Sequence, residues 1–167
     1  LSAILSSSES LEGFEILDAN GIVTINAPQN INILGANRAS QPFFSETKSG
    51  QQPFVSSSFI SQQTGQPTIT IAVPHRDEVI VAYLNLAEIS MLSLNHIKTF
   101  GDTVTMAITD GNGVFISHQD INKVFQREVE ANYQVIHPGT EIDNQIHTFT
   151  YEDKTAMVSH ADVDKVN

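Results

Sequence analysis

Arg38 is the residue of this sequence best suited to bind a small acidic ligand. It lies a few positions before Phe43 and Phe44. A guanidinium offers a two-pronged fork to a carboxylate, and phenylalanine rings can line an apolar cavity. Because the chain has only 8 Lys and Arg residues, an arginine beside two aromatic rings predicts a carboxylate-binding site. The alternative is that Arg38 caps loop carbonyls or pairs with Glu46, and that the two rings belong to the core.

Three polar side chains on predicted strands could complete this site. Ser56 and Ser58 alternate along one predicted strand, so their hydroxyls share a face. Tyr83 interrupts an otherwise aliphatic run in a later strand and would add a phenol. The predicted ligand-binding residues are therefore Arg38, Phe43, Phe44, Ser56, Ser58 and Tyr83.

The six histidines raise a metal-binding hypothesis, because imidazole is a common zinc ligand. No two of them form a His-x-x-x-His pair, and the chain contains no cysteine. His147 and His160 are the one suggestive pair, since a turn at Glu152-Asp153 would place them diagonally on one face of a hairpin. Such a pair could also respond to pH. Two half-exposed strand histidines are the commoner arrangement, so we predict neither a metal nor another cofactor.

Motifs of common enzymes are missing from the sequence. It contains no Gly-x-Ser-x-Gly elbow, no Gly-x-Gly-x-x-Gly loop and no Walker lysine. The segment Asp110-Gly111-Asn112-Gly113 is superficially similar to a calcium loop. It lacks the alternating oxygen ligands and the terminal Glu of that motif, so a hairpin turn is favoured. We therefore expect a binding domain without catalysis of its own.

The composition fits one ordinary domain or two small ones. Of the 167 residues, 40% are hydrophobic and 16% are charged, which allows a core. The formal net charge of −11 argues against binding nucleic acid or anionic lipid. No apolar run approaches the roughly 20 residues of a membrane span, and no signal peptide is present. Because the chain opens at Leu1 rather than Met, we expect a soluble piece of a longer protein.

A short internal repeat organises the chain. Residues 16–26 and 108–118 each place an Asp-x-Asn-Gly turn between two apolar runs, and Asp110 follows Asp18 by 92 residues. Asn-Gly adopts the positive φ that tight hairpin turns require, so each copy predicts a β-hairpin. The alternative is two unrelated hairpins that both use the common Asn-Gly turn. The matching apolar flanks on both sides favour a duplicated unit instead.

The first unit is predicted to be an antiparallel sheet of five short strands with a helical insert. A polar segment after the first hairpin holds a short helix at about residues 40–48. Strands then follow at residues 54–60, 68–73 and 79–84. Asn85 is predicted to cap a helix, with Glu88 at the capping-box position. The apolar face of that helix would be Leu86, Ile89, Leu92 and Ile97.

The second unit is predicted to be smaller, with about four strands. Its hairpin is followed directly by a helix that Asp120 caps. The apolar stripe of that helix would be Ile121, Val124, Phe125 and Val129. A last hairpin pairs residues 145–151 with 154–160, so that Tyr151 faces Lys154. A further strand would complete this sheet, and we therefore expect the unit to be truncated.

These features together resemble the double Cache family, which comprises extracytoplasmic sensor domains of prokaryotic receptors and is related in fold to PAS domains. The order and spacing of several segments carry the resemblance, and no single segment is diagnostic. The segments are residues 16–23, 35–44, 54–56, 64–74 and 79–86 in the first unit, and 108–113 and 118–120 in the second.

The resemblance implies an α+β fold with two PAS-like modules, each an antiparallel sheet flanked by helices. It implies the end of a stalk helix at residues 1–12, a membrane-distal module at 13–98 and a membrane-proximal module at 99–167. Transmembrane helices would flank this periplasmic or extracellular segment, and the receptor would dimerise through its stalk helix. The output would be a histidine kinase, a chemoreceptor or a cyclic-dinucleotide enzyme.

The resemblance also implies a small metabolite as ligand, held in the distal module by the six residues predicted above. Amino-acid binders of the family place an acidic residue near the end of the fifth strand, where Tyr83 and Leu84 stand here. The aromatic residues around Arg38 also differ from that pattern. A carboxylate or an uncharged metabolite is therefore favoured over an amino acid. The alternative function is a ligand-free structural or dimerisation module of a receptor.

Overall fold

The first unit of the computed structural model is a six-stranded antiparallel sheet. The structure describes residues 8–101, 103–130, 147–151 and 154–158. The strands of the sheet are β1 (Leu11–Leu17), β2 (Val23–Ala27), β3 (Phe54–Val55), β4 (Phe59–Ile60), β5 (Pro67–His75) and β6 (Glu78–Asn85). Their order is β2-β1-β6-β5-β3, and β4 also pairs with β5. Helix α1 (Pro42–Gly50) is inserted between β2 and β3, as the sequence predicts.

The predicted strand at residues 54–60 is wrong in one respect, because it divides into β3 and β4. Ser58 lies in the gap, and its N–H donates to the Asp110 carboxylate of the second unit at 3.0 Å rather than to a neighbouring strand. A side chain remote in sequence therefore interrupts the strand.

The beginning of the chain also differs from the expected stalk helix. Strand β1 begins at Leu11, which pairs with Leu84 of β6. Residues 8–12 are therefore not helical, since pairing with β6 commits the backbone to an extended form. The rest of the predicted stalk segment, residues 1–7, lies outside the described residues.

The two Asp-x-Asn-Gly turns have the same geometry. In each turn the aspartate Oδ1 accepts the N–H groups two and four positions later, at 2.8 and 2.9 Å for Asp18 and at 2.9 and 3.1 Å for Asp110. The glycines of both turns have positive φ, 78° at Gly21 and 79° at Gly113. The backbone N–H groups of Ile22 and Asn20, which donate to the Asp18 carboxylate, lower the pKa of Asp18. Both predicted hairpin turns are confirmed.

The repeat continues beyond the turns, which supports a duplicated unit. In each copy a later segment returns to form an antiparallel bridge with the residue after the turn glycine. The two bridges are Ile22–Asn37 and Val114–Val129. The next residue along donates its N–H to the glycine carbonyl, at 2.7 Å for Arg38 and 2.9 Å for Glu130. The position of Arg38 in the first unit is thus occupied by Glu130 in the second.

Helix α2 (Leu86–Ile97) begins as predicted, because the Asn85 side chain accepts the N–H groups of Ala87 and Glu88. Leu86 and Ile97 are buried, but Leu92 is 56% exposed, so its place on the predicted apolar face is wrong. Leu92 lies six positions after Leu86, which is about 240° around the helix. Ser90 faces the core instead, and its hydroxyl donates to the Leu86 carbonyl at 2.8 Å.

The second unit follows a 3₁₀ turn (Lys98–Phe100). Its elements are β7 (Ile108–Thr109), β8 (Phe115–Ser117), α3 (Ile121–Phe125), β9 (His147–Tyr151) and β10 (Lys154–Val158). The four strands described in this unit form two separate two-stranded sheets, β7-β8 and β9-β10. Tyr151 pairs with Lys154, so the predicted register of the last hairpin is confirmed. Asp120 caps α3, also as predicted.

The predicted apolar stripe of α3 is only partly right. Val124 is buried, whereas Phe125 is exposed and Val129 is 59% exposed. The helix ends at Phe125, so Val129 lies beyond it and does not follow the helical periodicity.

Two apolar clusters lie in the core formed by residues 8–130. The first lies on one face of the sheet and consists of Leu17, Val23, Phe44, Ala72, Val79 and Val81. The second joins the two units, because Ile69 and Leu86 of the first unit pack with Phe115 and Val124 of the second.

Hydrogen bonds at Ser57 and Ser58 reinforce this junction between the units. The Arg127 Nη2 donates to the Ser58 carbonyl at 2.7 Å, and the Asn112 side chain donates to the Ser57 hydroxyl at 2.9 Å. With the bond from Ser58 to Asp110, three residues of the second unit hold one short segment of the first.

Candidate functional site

The candidate site lies on the face of the sheet that α1 covers. Cross-strand pairing places Tyr83 of β6 between Gly13 of β1 and Thr70 of β5. Two residues further along β1, Glu15 lies opposite Val81 of β6. Because alternate residues of a strand share a face, these side chains point to the same side as the first apolar cluster.

Arg38 forms a bidentate ion pair with Glu15. Its Nε donates to Oε2 at 3.0 Å and its Nη2 donates to Oε1 at 2.9 Å. The Glu15 side chain is 2% exposed and the Arg38 side chain 28% exposed. Hydrogen bonding to Glu15 raises the pKa of Arg38. Arg38 thus pairs with Glu15 of β1 rather than with Glu46, the partner that the alternative interpretation of the sequence suggested.

Tyr83 lies beside this ion pair and against Phe43. The two rings meet edge to face, with centroids 6.4 Å apart. Burial raises the pKa of Tyr83, and the negative charge of Glu15 and a hydrogen bond to that carboxylate raise it further. Tyr83 therefore remains a neutral phenol whose single O–H donates to the Glu15 carboxylate, while its oxygen can still accept a hydrogen bond.

Two threonine hydroxyls near this face are buried without a hydrogen-bond partner among the described residues. They belong to Thr70, the cross-strand neighbour of Tyr83, and to Thr47 on the buried side of α1. The backbone N–H of Thr70 is satisfied, since it donates to the Ser56 hydroxyl at 2.9 Å. Buried polar groups are nearly always hydrogen bonded, so these two hydroxyls are able to bond to a polar group that comes from outside the chain.

The structure brings together some of the predicted site residues and separates others. Arg38, Phe43 and Tyr83 lie together, and Ser56 lies beside Thr70, the neighbour of Tyr83. Phe44 is buried in the first apolar cluster. Ser58 bonds to Asp110 and Arg127 at the junction of the two units instead.

Glu15 and Thr70 were not among the residues predicted from the sequence. A signal for Glu15 was present, since it has the same parity along β1 as Leu17 and strand alternation therefore buries both. A carboxylate at a core position requires a positively charged partner, which pairing with Arg38 supplies.

No metal site is found in the described part of the chain, where no three His, Asp or Glu side chains cluster. The side chains of His147 and His160 lie outside the described residues. Likewise, none of the helices in the described ranges is both long and apolar enough to span a membrane.

Several solved structures with the same fold are ligand-binding domains of bacterial receptors. No protein-family model matches the sequence, and no curated protein is recognisably related to it. The ligand-binding domain of the Pseudomonas aeruginosa amino acid chemoreceptor PctC, in complex with GABA, aligns with a TM-score of 0.60 at 17% identity. That of the Pseudomonas fluorescens chemoreceptor CtaA, in complex with L-isoleucine, aligns with 0.61 at 20% identity. Each alignment covers 93% of this chain.

The chain has the fold of a bacterial sensory ligand-binding domain. An extracellular ligand binding receptor from Desulfohalobium retbaense also shares this sensor fold, with a TM-score of 0.64 at 15% identity over 94% of the chain. The α+β fold with an antiparallel sheet and helices, which the resemblance to double Cache domains implied, is thereby confirmed. The chain spans 68%, 63% and 29% of the PctC, CtaA and Desulfohalobium chains, respectively.

His118 is a buried histidine of the second unit, and its surroundings are expected to make the stability of the protein depend on pH. Burial, and next the nearby charge of Lys123, lower the pKa of His118 below 6.5. The unfolded chain then binds more protons than the folded chain just below pH 6.5, so the free energy of unfolding decreases as the pH falls through that range. Asp120 and Glu130 oppose this shift without reversing it.

We predict that the urea midpoint falls between pH 7.5 and pH 5.5, and that His118→Gln reduces this fall. His75→Gln changes an exposed histidine and serves as the matched control, for which the fall should be unchanged. An identical pH dependence in the wild type and the His118 variant would contradict the assignment.

Proposed function

We propose that this chain is the extracytoplasmic ligand-sensing domain of a transmembrane signal-transduction receptor. Residues 13–98 would be the membrane-distal module that binds a small metabolite such as a carboxylate, and residues 99–167 the membrane-proximal module. The receptor would carry a histidine kinase, chemoreceptor or cyclic-dinucleotide output and dimerise through a stalk helix. The shared fold of bacterial ligand-binding domains supports the sensor role.

The polar group around Arg38 carries this proposal. A guanidinium, a neutral phenol and an unpaired buried hydroxyl lie on one face of the sheet, at Arg38, Tyr83 and Thr70. A purely structural core has no need for such a group, since apolar residues fill a core at lower desolvation cost. GABA and L-isoleucine, the ligands in the PctC and CtaA structures, each have one carboxylate and one amino group, and the carboxylate is the group that a guanidinium such as that of Arg38 can bind.

Arg38 can still bind a ligand carboxylate while paired with Glu15. A guanidinium has five N–H donors, and the ion pair uses one on Nε and one on Nη2. The edge formed by Nη1 and Nη2 is a second fork of the kind that carboxylates bind. Since 28% of the Arg38 side chain is exposed, a ligand could reach it from the solvent side.

The alternative is a ligand-free structural or dimerisation module of a receptor. The observation that favours it is the same ion pair, because Glu15 already satisfies two donors of Arg38. This alternative predicts that no metabolite stabilises the protein.

A thermal-shift screen of carboxylates and other small metabolites tests the proposal. A ligand at 100 times its Kd adds about 2.7 kcal/mol to the free energy of unfolding, which corresponds to about 5–10 °C in Tm for a domain of this size. We predict such a shift for at least one carboxylate, and its loss in Arg38→Ala and Tyr83→Phe. Arg76→Ala, at an exposed arginine in the β5–β6 turn, should retain it. The absence of any stabilising compound would support the ligand-free module instead.

A further inference from the structure

Glu15 is an unusual residue for the middle of a core-facing strand. Its side chain is 2% exposed, and its pairing across the sheet is with Val81 on one side and Asn26 on the other. Burying an unpaired carboxylate is strongly unfavourable, and replacing a buried ion pair with apolar residues often stabilises a protein. Stability alone therefore gives a weak reason for a carboxylate at this position.

The geometry of the ion pair fixes how Arg38 is presented. Glu15 holds the guanidinium by the Nε–Nη2 edge, at 3.0 and 2.9 Å. Two parallel hydrogen bonds to a buried partner restrict rotation of the planar group. The remaining Nη1–Nη2 edge consequently points away from Glu15 in a defined direction.

The negative charge of Glu15 also limits what can bind there. Glu15 and Arg38 together are neutral, so one ligand carboxylate already gives this region a net negative charge. The other lysines and arginines described in the first unit lie elsewhere, and one of them, Lys98, begins the 3₁₀ turn after α2. The Lys48 ammonium donates to the Asp77 carbonyl at the β5–β6 turn, and Arg76 is exposed in that same turn.

We propose that Glu15 is a specificity residue that positions Arg38 and restricts the ligand to a single carboxylate. This inference rests on the proposed function. Because Glu15 neutralises Arg38, the first ligand carboxylate leaves one net negative charge at this site. A second carboxylate about 6 Å from that charge, at an effective dielectric constant of about 20, is repelled enough to weaken binding of the order of 100-fold. A dicarboxylate therefore binds far more weakly than the monocarboxylate of equal length, and the charge of Glu15 is the reason.

Calorimetric titration with pairs of acids of equal length tests this inference. The probes are butyrate against succinate and pentanoate against glutarate, so that the two acids of each pair have the same number of carbon atoms. For the wild type we expect the monocarboxylate of at least one pair to bind about 30–100 times more tightly. In Glu15→Gln, which keeps the size and removes the charge, this ratio should fall below about 5. Glu46→Gln, at an exposed glutamate on α1, is the matched control and should keep the wild-type ratio.

Glu15→Asp separates the role of the charge from damage to the fold. It keeps the negative charge on a shorter side chain, so both acids should bind more weakly while the preference for one carboxylate remains. Equal binding of mono- and dicarboxylates by the wild type, or a ratio that Glu15→Gln leaves unchanged, would overturn the specificity role alone. If neither series binds the wild type, carboxylate binding itself fails and the inference falls with it.

Discussion

Arg38→Ala is expected to lower the free energy of unfolding by about 3–5 kcal/mol, because it leaves a buried carboxylate without its partner. Removing the other partner of the ion pair is expected to lower the free energy of unfolding less. Glu15→Gln leaves behind an arginine whose side chain is 28% exposed and can turn toward water. We expect that loss to be about 1–2 kcal/mol, the size of a lost hydrogen bond to a charged group. Urea unfolding monitored by circular dichroism measures both values.

The double variant gives the sharper test of this asymmetry. Adding Glu15→Gln to Arg38→Ala removes the stranded charge, so the double variant should be more stable than Arg38→Ala alone. Glu46→Gln should change little, since Arg38 pairs with Glu15. Losses that simply add in the double variant would show that the two side chains act independently.

Asp110→Ala is expected to cost about 3 kcal/mol, because three backbone N–H groups lose their acceptor at a buried position. They belong to Asn112, Val114 and Ser58. Each buried donor left unpaired costs about 1–3 kcal/mol, with partial relaxation reducing the sum. The bond to Ser58 also joins the two units, so amide hydrogen exchange at Ser58 should accelerate in this variant.

The internal repeat supplies the matched control for Asp110. Asp18→Ala removes the same two turn bonds, to Asn20 and Ile22, at a position where water can replace the carboxylate. It should therefore cost clearly less and leave exchange at Ser58 unchanged. Equal losses in the two variants would contradict the role of Asp110 at the junction.

The sequence was most informative where structure is local. The Asp-x-Asn-Gly turns, the Asn85 and Asp120 caps and the register at Tyr151 follow from short-range hydrogen bonding and alternation, and all are confirmed. The prediction that Leu92 lies on the apolar face was wrong because its spacing from Leu86 does not match the helical period closely enough.

The interactions that could not be predicted are those between distant segments. Nothing local to Arg38 identifies Glu15, 23 positions earlier, as its partner. Similarly, the split between β3 and β4 depends on Asp110, 52 positions after Ser58. Such pairs are set by how segments distant in sequence pack together, which periodicity and turn motifs do not encode. The bonds to Asp110 and Arg127 also place Ser58 at the junction of the two units rather than in the predicted site.

A crystal structure of the protein grown with the compound that raises its Tm most tests the central claim directly. We predict electron density for that compound between α1 and the sheet, with its carboxylate on the Nη1–Nη2 edge of Arg38 and the ion pair to Glu15 intact. Density elsewhere on the molecule, or a fully packed interior beside Arg38 and Tyr83, would contradict a ligand site in the first unit.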